Sequence, residues 1–265
     1  SYLFYPGYLD LIIANIQRGR VYFSSFEEIL IPLCFYFIIK INNRKVKIFL
    51  SFYFFLILFN SFISNFRTKF LMLTFSLITS IILYRKYLKK YFFLLLLSLF
   101  IFFSIISSLM NKKIGFSLID RMLLVDELRD IITVVSRKEQ ILEGFQIGML
   151  SPIFGVGLGN YHFYINNKEK SIFLSKKIRA LQEGAILPHN IFILIFSETG
   201  LFGTISFLVI LFYFAKKDLI ILTKTNLLKK SLVISFWTLF IYALFNPTVS
   251  LQFNIIFWSL RVFLI

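Results

Sequence analysis

This sequence predicts an all-α fold: a polytopic transmembrane helical bundle with one long external loop containing amphipathic helices. Three observations support that prediction. Of its 265 residues, 58% are hydrophobic and 19% aromatic, with 36 Phe, whereas soluble domains average about 45–50% apolar residues. The apolar residues gather in runs that approach the ~17–25 residues a helix needs to cross a bilayer. The cations gather in short tracts between those runs. The net charge of +16 therefore reads as membrane topology and not as a nucleic-acid surface.

Seven spans are expected, at about 22–39, 48–63, 70–84, 91–109, 190–214, 231–246 and 251–265. Each must be helical, because the bilayer core offers no water to satisfy an irregular backbone. Pro247, within "NPTVS", marks the turn between the last two. The tracts 40–47 and 85–90 carry four Lys/Arg each and 216–230 carries five. If the spans alternate, all three tracts share one side, which the positive-inside rule makes cytoplasmic. The segment 111–189 is then external, and Arg67, Arg137 and His189 share its side. The whole chain, 1–265, reads as a single transmembrane domain. It opens on Ser1 in mid-pattern, so an N-terminally truncated piece of a longer protein is expected. The single Cys, Cys34, allows no disulfide within the chain and no Cys-based metal site.

Within the external segment, "SRKEQILEGFQIGML" (136–150) has the pattern of an amphipathic helix. Ser136 and Glu139 fit a capping box, which would place Arg137 on the first turn. Ile141, Leu142, Phe145 and Met149 would form an apolar face against membrane or bundle, and Ser151-Pro152 would end the helix. Read alone, Arg137 fits a solvated surface cation as well as a site residue. "SPIFGVGLGNYHFY" (151–164) follows, with Gly155, Gly157 and Gly159 alternating. It lacks the βαβ context of a dinucleotide fingerprint. It reads as a tight turn whose amides form an anion nest in one reading and none in another. His162 fits an interfacial neighbour.

The second of the two histidines, His189, stands between Pro188 and Asn190 at the mouth of the span 190–214. The positive end of a helix disfavours imidazolium, and so would nearby arginines. A neutral imidazole there can accept a proton, or can simply cap the helix. Arg67, at the outer end of "NSFISNFRTKF", alone fits a side chain that snorkels to lipid phosphate. Glu198 lies about 13 Å along the helix from His189 and reads as structural. Gly200 and Gly203 read as positions of close helix approach.

Taken together, Arg137, then Pro152, Phe154, Gly155, Gly157, Gly159 and Asn160, then His189, Asn190, Glu198, Gly200 and Gly203 resemble the signature of the O-antigen ligase/polymerase superfamily. The resemblance implies inverting, metal-independent glycosyl transfer at the outer face of the cytoplasmic membrane. The implied donor is a glycan on a polyprenyl diphosphate, and the implied acceptor is a lipid, a glycan or, in some relatives, a protein hydroxyl. By motif, the family's two external arginines correspond to Arg67 and Arg137, and its histidine to His189. Gly155, Gly157, Gly159, Asn160 and Asn190 would line the substrate site. The chemistry agrees with those residue types. Arginine offers planar paired donors to a departing diphosphate, and an acceptor hydroxyl needs a base within reach. With no D-x-D and no His/Cys cluster in the sequence, neither metal nor cofactor is expected. Rival readings are a non-catalytic transporter or export component of surface polysaccharide assembly, or an inactive fragment. The transporter is disfavoured because the ionisable groups cluster at one face and do not line a path through the midplane.

Overall fold

The computed structural model describes residues 27–63, 67–87, 128–166, 188–246 and 251–264. Every regular element among them is a helix. A 3-10 turn, Glu27–Leu30, leads into α1 (Ile31–Lys40), followed by α2 (Arg44–Ile63) and α3 (Arg67–Tyr84). Then come α4 (Leu128–Met149), the short α5 (Tyr161–Asn166), α6 (Ile191–Lys224), α7 (Leu227–Phe245) and α8 (Leu251–Val262). The expected span 91–109, much of the segment 111–189 and the Pro247 turn lie outside the described residues. The chain divides into two compact units, Ser1–Leu124 with Lys230–Leu239, and Val125–Lys229 with Phe240–Ile265.

The expected spans at 48–63, 70–84, 190–214 and 231–246 coincide with α2, α3, α6 and α7. Among the described residues, α6 and α7 are the helices long and apolar enough to cross a membrane. α1 and α8, with 10 and 12 residues, rise only about 15 and 18 Å, short of a ~30 Å hydrocarbon core. The tract 216–230 is not the loop expected. α6 continues through Lys216 and Lys217 to Lys224, and within this tract the helix is interrupted at Thr225–Asn226 alone. There the Asn226 side chain accepts from the Lys229 amide and starts α7. The apolar run "LIIL" (219–222) keeps the helix going, and lysine stems can lie along it while their ammonium groups stay wet.

In the first unit, α1, α2 and α3 pack through aromatic rings. Phe35 meets Phe54 edge-on, centroids 5.4 Å apart, and stacks on Tyr84 at 5.9 Å. Several buried polar groups find partners across the helices. Ser61 donates to the Glu28 carboxylate at 2.7 Å, Asn60 donates to Glu27 at 2.6 Å, and Ser235 donates to the Ile29 carbonyl at 2.6 Å. Such bonds are what an apolar environment demands of a buried carboxylate.

In the second unit, α8 is tied to α6 by a buried ion pair. One Arg261 nitrogen, Nη1, lies 2.8 Å from each Asp218 oxygen, and the guanidinium sits 3.8 Å over the Phe214 ring. This explains how an arginine is tolerated in an otherwise apolar C-terminal helix.

Candidate active site

The second unit is organised by α4 and α6, whose contacts advance together. A Cβ added to Gly144 would lie 2.5 Å from Ile193 Cγ2, and one added to Gly148 would lie 2.5 Å from the Phe196 ring. The two helices therefore run parallel and close. The spacing Gly144-x-x-x-Gly148 allows this approach. The motif stands in "GFQIG", next to the more conspicuous alternating glycines that follow.

α4 begins at Leu128, not at Ser136, so the expected capping box does not form. Apolar residues upstream, Ile131 to Val135, carry the helical pattern through a Ser/Glu pair that would otherwise signal a start. Arg137 is consequently a mid-helix residue, half-buried and not free to swing with a fraying end. α4 does end at Met149, as the Ser151-Pro152 signal predicts. Its buried face carries Gln140 and Glu143, 4% and 5% exposed, together with Gly144, Ile147 and Gly148. The expected apolar face, Leu142, Phe145 and Met149, points outward.

The turn 151–160 locks into a break in α6. Gly200 has φ 64° and ψ −161°, a conformation outside the helix. The break releases carbonyls and amides that an unbroken helix would pair. The turn takes them up. Val156 donates to the Ser197 carbonyl at 3.0 Å and Gly157 to the Glu198 carbonyl at 2.9 Å. In return Leu201 donates to the Pro152 carbonyl at 2.8 Å and Phe202 to that of Ile153 at 3.1 Å. Gly155 and Gly200 meet back to back. A Cβ on Gly155 would lie 2.3 Å from the Glu198 carbonyl carbon, and one on Gly200 would lie 2.4 Å from that of Ile153. Gly200 is thus a backbone hinge, and the expected role in helix approach belongs to Gly144 and Gly148. The amides of Gly155, Val156, Gly157 and Asn160 all donate to protein carbonyls, so an anion nest from those amides is not formed.

The chain then turns back through α5. Tyr161 is fully buried beside Gly144. Burial raises its phenol pKa, and Glu143 and then Glu198 add to the effect. The Glu198 main-chain carbonyl accepts from Gly157, and its carboxylate charge adds to the rise in the Tyr161 pKa.

Pro188 leads into the start of α6. Asn190 is its N-cap, and its side chain accepts from the Phe192 amide at 2.9 Å and the Ile193 amide at 3.2 Å. His189, one residue earlier, is left free of capping duty. Its Nδ1 lies 3.1 Å from the Phe245 carbonyl at the end of α7. A carbonyl only accepts, so Nδ1 carries the hydrogen, and the neutral ring has its lone pair on Nε2. Burial lowers the His189 pKa below its usual value. The Arg137 charge lowers it further, and contacts with Phe245 and Asn246 oppose without prevailing. Phe245 and Asn246 were not foreseen; their only signal was that alternating spans place both ends on the side of His189. Asn190→Ala is expected to lower stability by about 1 kcal/mol through loss of the cap, read as a modest fall in the melting point of the detergent-solubilised protein.

The structure brings Arg137 and His189 within electrostatic reach inside one unit. Arg67 opens α3 in the other unit, and its side chain lies outside the described residues. No curated protein and no solved structure matches the chain. A family model described as O-antigen ligase matches residues 52–208, a stretch containing Arg67, Arg137, His189 and the interlocked glycines. Since that match covers well over half of its 265 residues, the chain belongs to the O-antigen ligase family.

Proposed function

We propose that this protein transfers a glycan, with inversion, from a polyprenyl-diphosphate carrier to an acceptor hydroxyl at the outer face of the cytoplasmic membrane. Family membership supports the general activity, O-antigen ligase or polymerase-type glycan transfer at a membrane. The carbon-to-hydroxyl chemistry is read from the second unit. His189 Nε2 takes the acceptor proton as the hydroxyl oxygen attacks the anomeric carbon. The bond to the diphosphate breaks on the opposite face, and Arg137 stabilises the charge that develops on the departing oxygens; the family motif gives Arg67 the same role. The observation that carries the reading is one pairing: a histidine depressed by burial and by a fixed arginine. A base that stays neutral and a cation that stays charged are what this transfer requires.

The topology that goes with it is multi-pass, with 40–47, 85–90 and 216–230 cytoplasmic. Gly155, Gly157 and Asn190 serve the substrate by fixing backbone. Gly159 and Asn160, exposed where the turn climbs back toward Tyr161, are the residues left to touch the donor headgroup.

Arg137 tests the reading. Arg137→Lys keeps a charge but loses the paired donors. Arg137→Ala loses both, and breaking one charge-assisted hydrogen bond costs about 1.5–3 kcal/mol, roughly tenfold to a hundredfold in rate. Glycan transfer in purified membranes is expected to fall in that order. Normal glycan lengths from Arg137→Ala at normal expression would remove the diphosphate role.

A further inference from the structure

The hairpin of α4, the 151–160 turn and α5 has the wrong outside for water. α4 buries Gln140 and Glu143 and exposes Leu142, Phe145 and Met149. The turn continues the exposed apolar surface with Ile153 and Phe154, 59% and 70% exposed. Along α4 the exposed residues change from Lys138 near the site to apolar ones toward the turn. That is a gradient from a wet end to a dry one.

We infer that this turn is re-entrant: its tip, Pro152–Phe154, is seated in the hydrocarbon of the outer leaflet, and the outer surface of the hairpin contacts acyl chains. The inference rests on α6 crossing the membrane, as proposed above. Three further observations support it. The tip is continuous with the exposed apolar flank of α6, Leu201, Phe202, Ile205 and Val209, with the Phe154 and Phe202 rings 6.4 Å apart. Two of its carbonyls, those of Pro152 and Ile153, accept from the Leu201 and Phe202 amides, and the adjoining Val156 and Gly157 amides donate to Ser197 and Glu198. Pairing with protein in this way lowers the cost of irregular backbone at membrane depth. The third observation is depth. Lys216 is exposed on α6, and an exposed ammonium stays at headgroup level. The tip is bonded at Leu201 and Phe202, roughly 21–23 Å of unbroken helix from Lys216 at 1.5 Å per residue, which puts it about 7–9 Å inside a ~30 Å hydrocarbon core. The segment 111–189 is then external only in part, and Arg137 and His189 sit at headgroup level directly above a lipid-embedded floor.

Spin labels test this in the full chain, with Cys34 replaced by Ala, in lipid nanodiscs. Single cysteines replace Ile153 and Phe154, with Lys138 as the aqueous reference and Val209 as the lipid reference. At 153, 154 and 209, collision with oxygen is expected to exceed collision with a water-soluble nickel chelate, and the reverse is expected at 138. Chelate access at 153 and 154 with 209 still lipid-like overturns the re-entrant turn and leaves the crossing helix standing. Chelate access at 209 as well removes the crossing, and the inference falls with it. Phe154→Asp gives a second reading. A carboxylate in hydrocarbon is expected to cause loss of folded protein in the membrane, whereas at an aqueous site this exposed position would accept it unchanged, and that result would also overturn the inference.

Discussion

Gly200→Ala is expected to leave little folded protein. The backbone there, φ 64° and ψ −161°, belongs to a region essentially reserved for glycine, and holding another residue in it costs about 1–3 kcal/mol. The new methyl would also sit 2.4 Å from the Ile153 carbonyl group, where nothing flexible can yield. The turn must then withdraw, and four backbone hydrogen bonds are lost with it. The expected outcome is a sharp fall in the melting point of the detergent-solubilised protein, or failure to accumulate. Gly159→Ala is the control. Its φ is 77°, but the space around it is open, so only the left-handed backbone cost of about 1–2 kcal/mol applies. Equal melting points for Gly200→Ala and the parent would mean that the turn and the break are not coupled.

The second large effect concerns the proton. His189→Gln keeps a hydrogen-bonding side chain without basicity and is expected to abolish transfer, while donor binding to purified membranes persists. The sign of the pH dependence follows from the direction of the shift. The His189 pKa is lowered, first by burial and then by Arg137, so the neutral base is present above a midpoint lying under the ordinary ~6.5. Activity is lost only as the pH falls through that lowered midpoint. Arg137→Gln removes one of the two depressing influences, and the acid limb of its residual activity is expected to move to higher pH. The chain has two histidines, so nitrogen NMR of a His162→Asn background reports His189 alone and needs no turnover. A midpoint at or above 6.5, unmoved by Arg137→Gln, would contradict the electrostatic pairing.

Much of this was legible because lipid simplifies the code. Runs of Phe, Leu and Ile located α2, α3, α6 and α7, since a buried backbone leaves helices as the main option. The reading slipped where a local signal was overridden, twice by the neighbouring sequence and once by a partner distant in sequence. Ser136 and Glu139 look like a helix start, but Ile131 to Val135 carry the helix past them. Lys216 and Lys217 look like a loop, but their stems tolerate an apolar helix surface. Gly200 looks like a packing glycine until the turn at 152–157 is placed against it. Arg137 and His189 were legible one at a time through their local motifs. The depressing effect of nearby arginines on His189 was legible too; what was not is the parallel run of α4 along α6, which the Gly144–Gly148 pair permits. The outward Leu142, Phe145 and Met149 agree with the apolar face read from the sequence, whose periodicity does not say whether protein or lipid will cover it.

The exchange of backbone bonds between 152–157 and 197–202 also constrains the order of events as the chain is made. Each half supplies the donors and acceptors the other lacks, so neither is complete alone in an apolar medium. The turn leaves the ribosome more than forty residues ahead of Gly200, a delay of roughly 2–9 s at 5–20 residues per second. During that interval the Val156 and Gly157 amides lack the Ser197 and Glu198 carbonyls that they bind in the folded chain. If the turn is re-entrant, as inferred above, it cannot enter hydrocarbon before Glu198–Phe202 arrive, so docking of the hairpin is expected to be a late step.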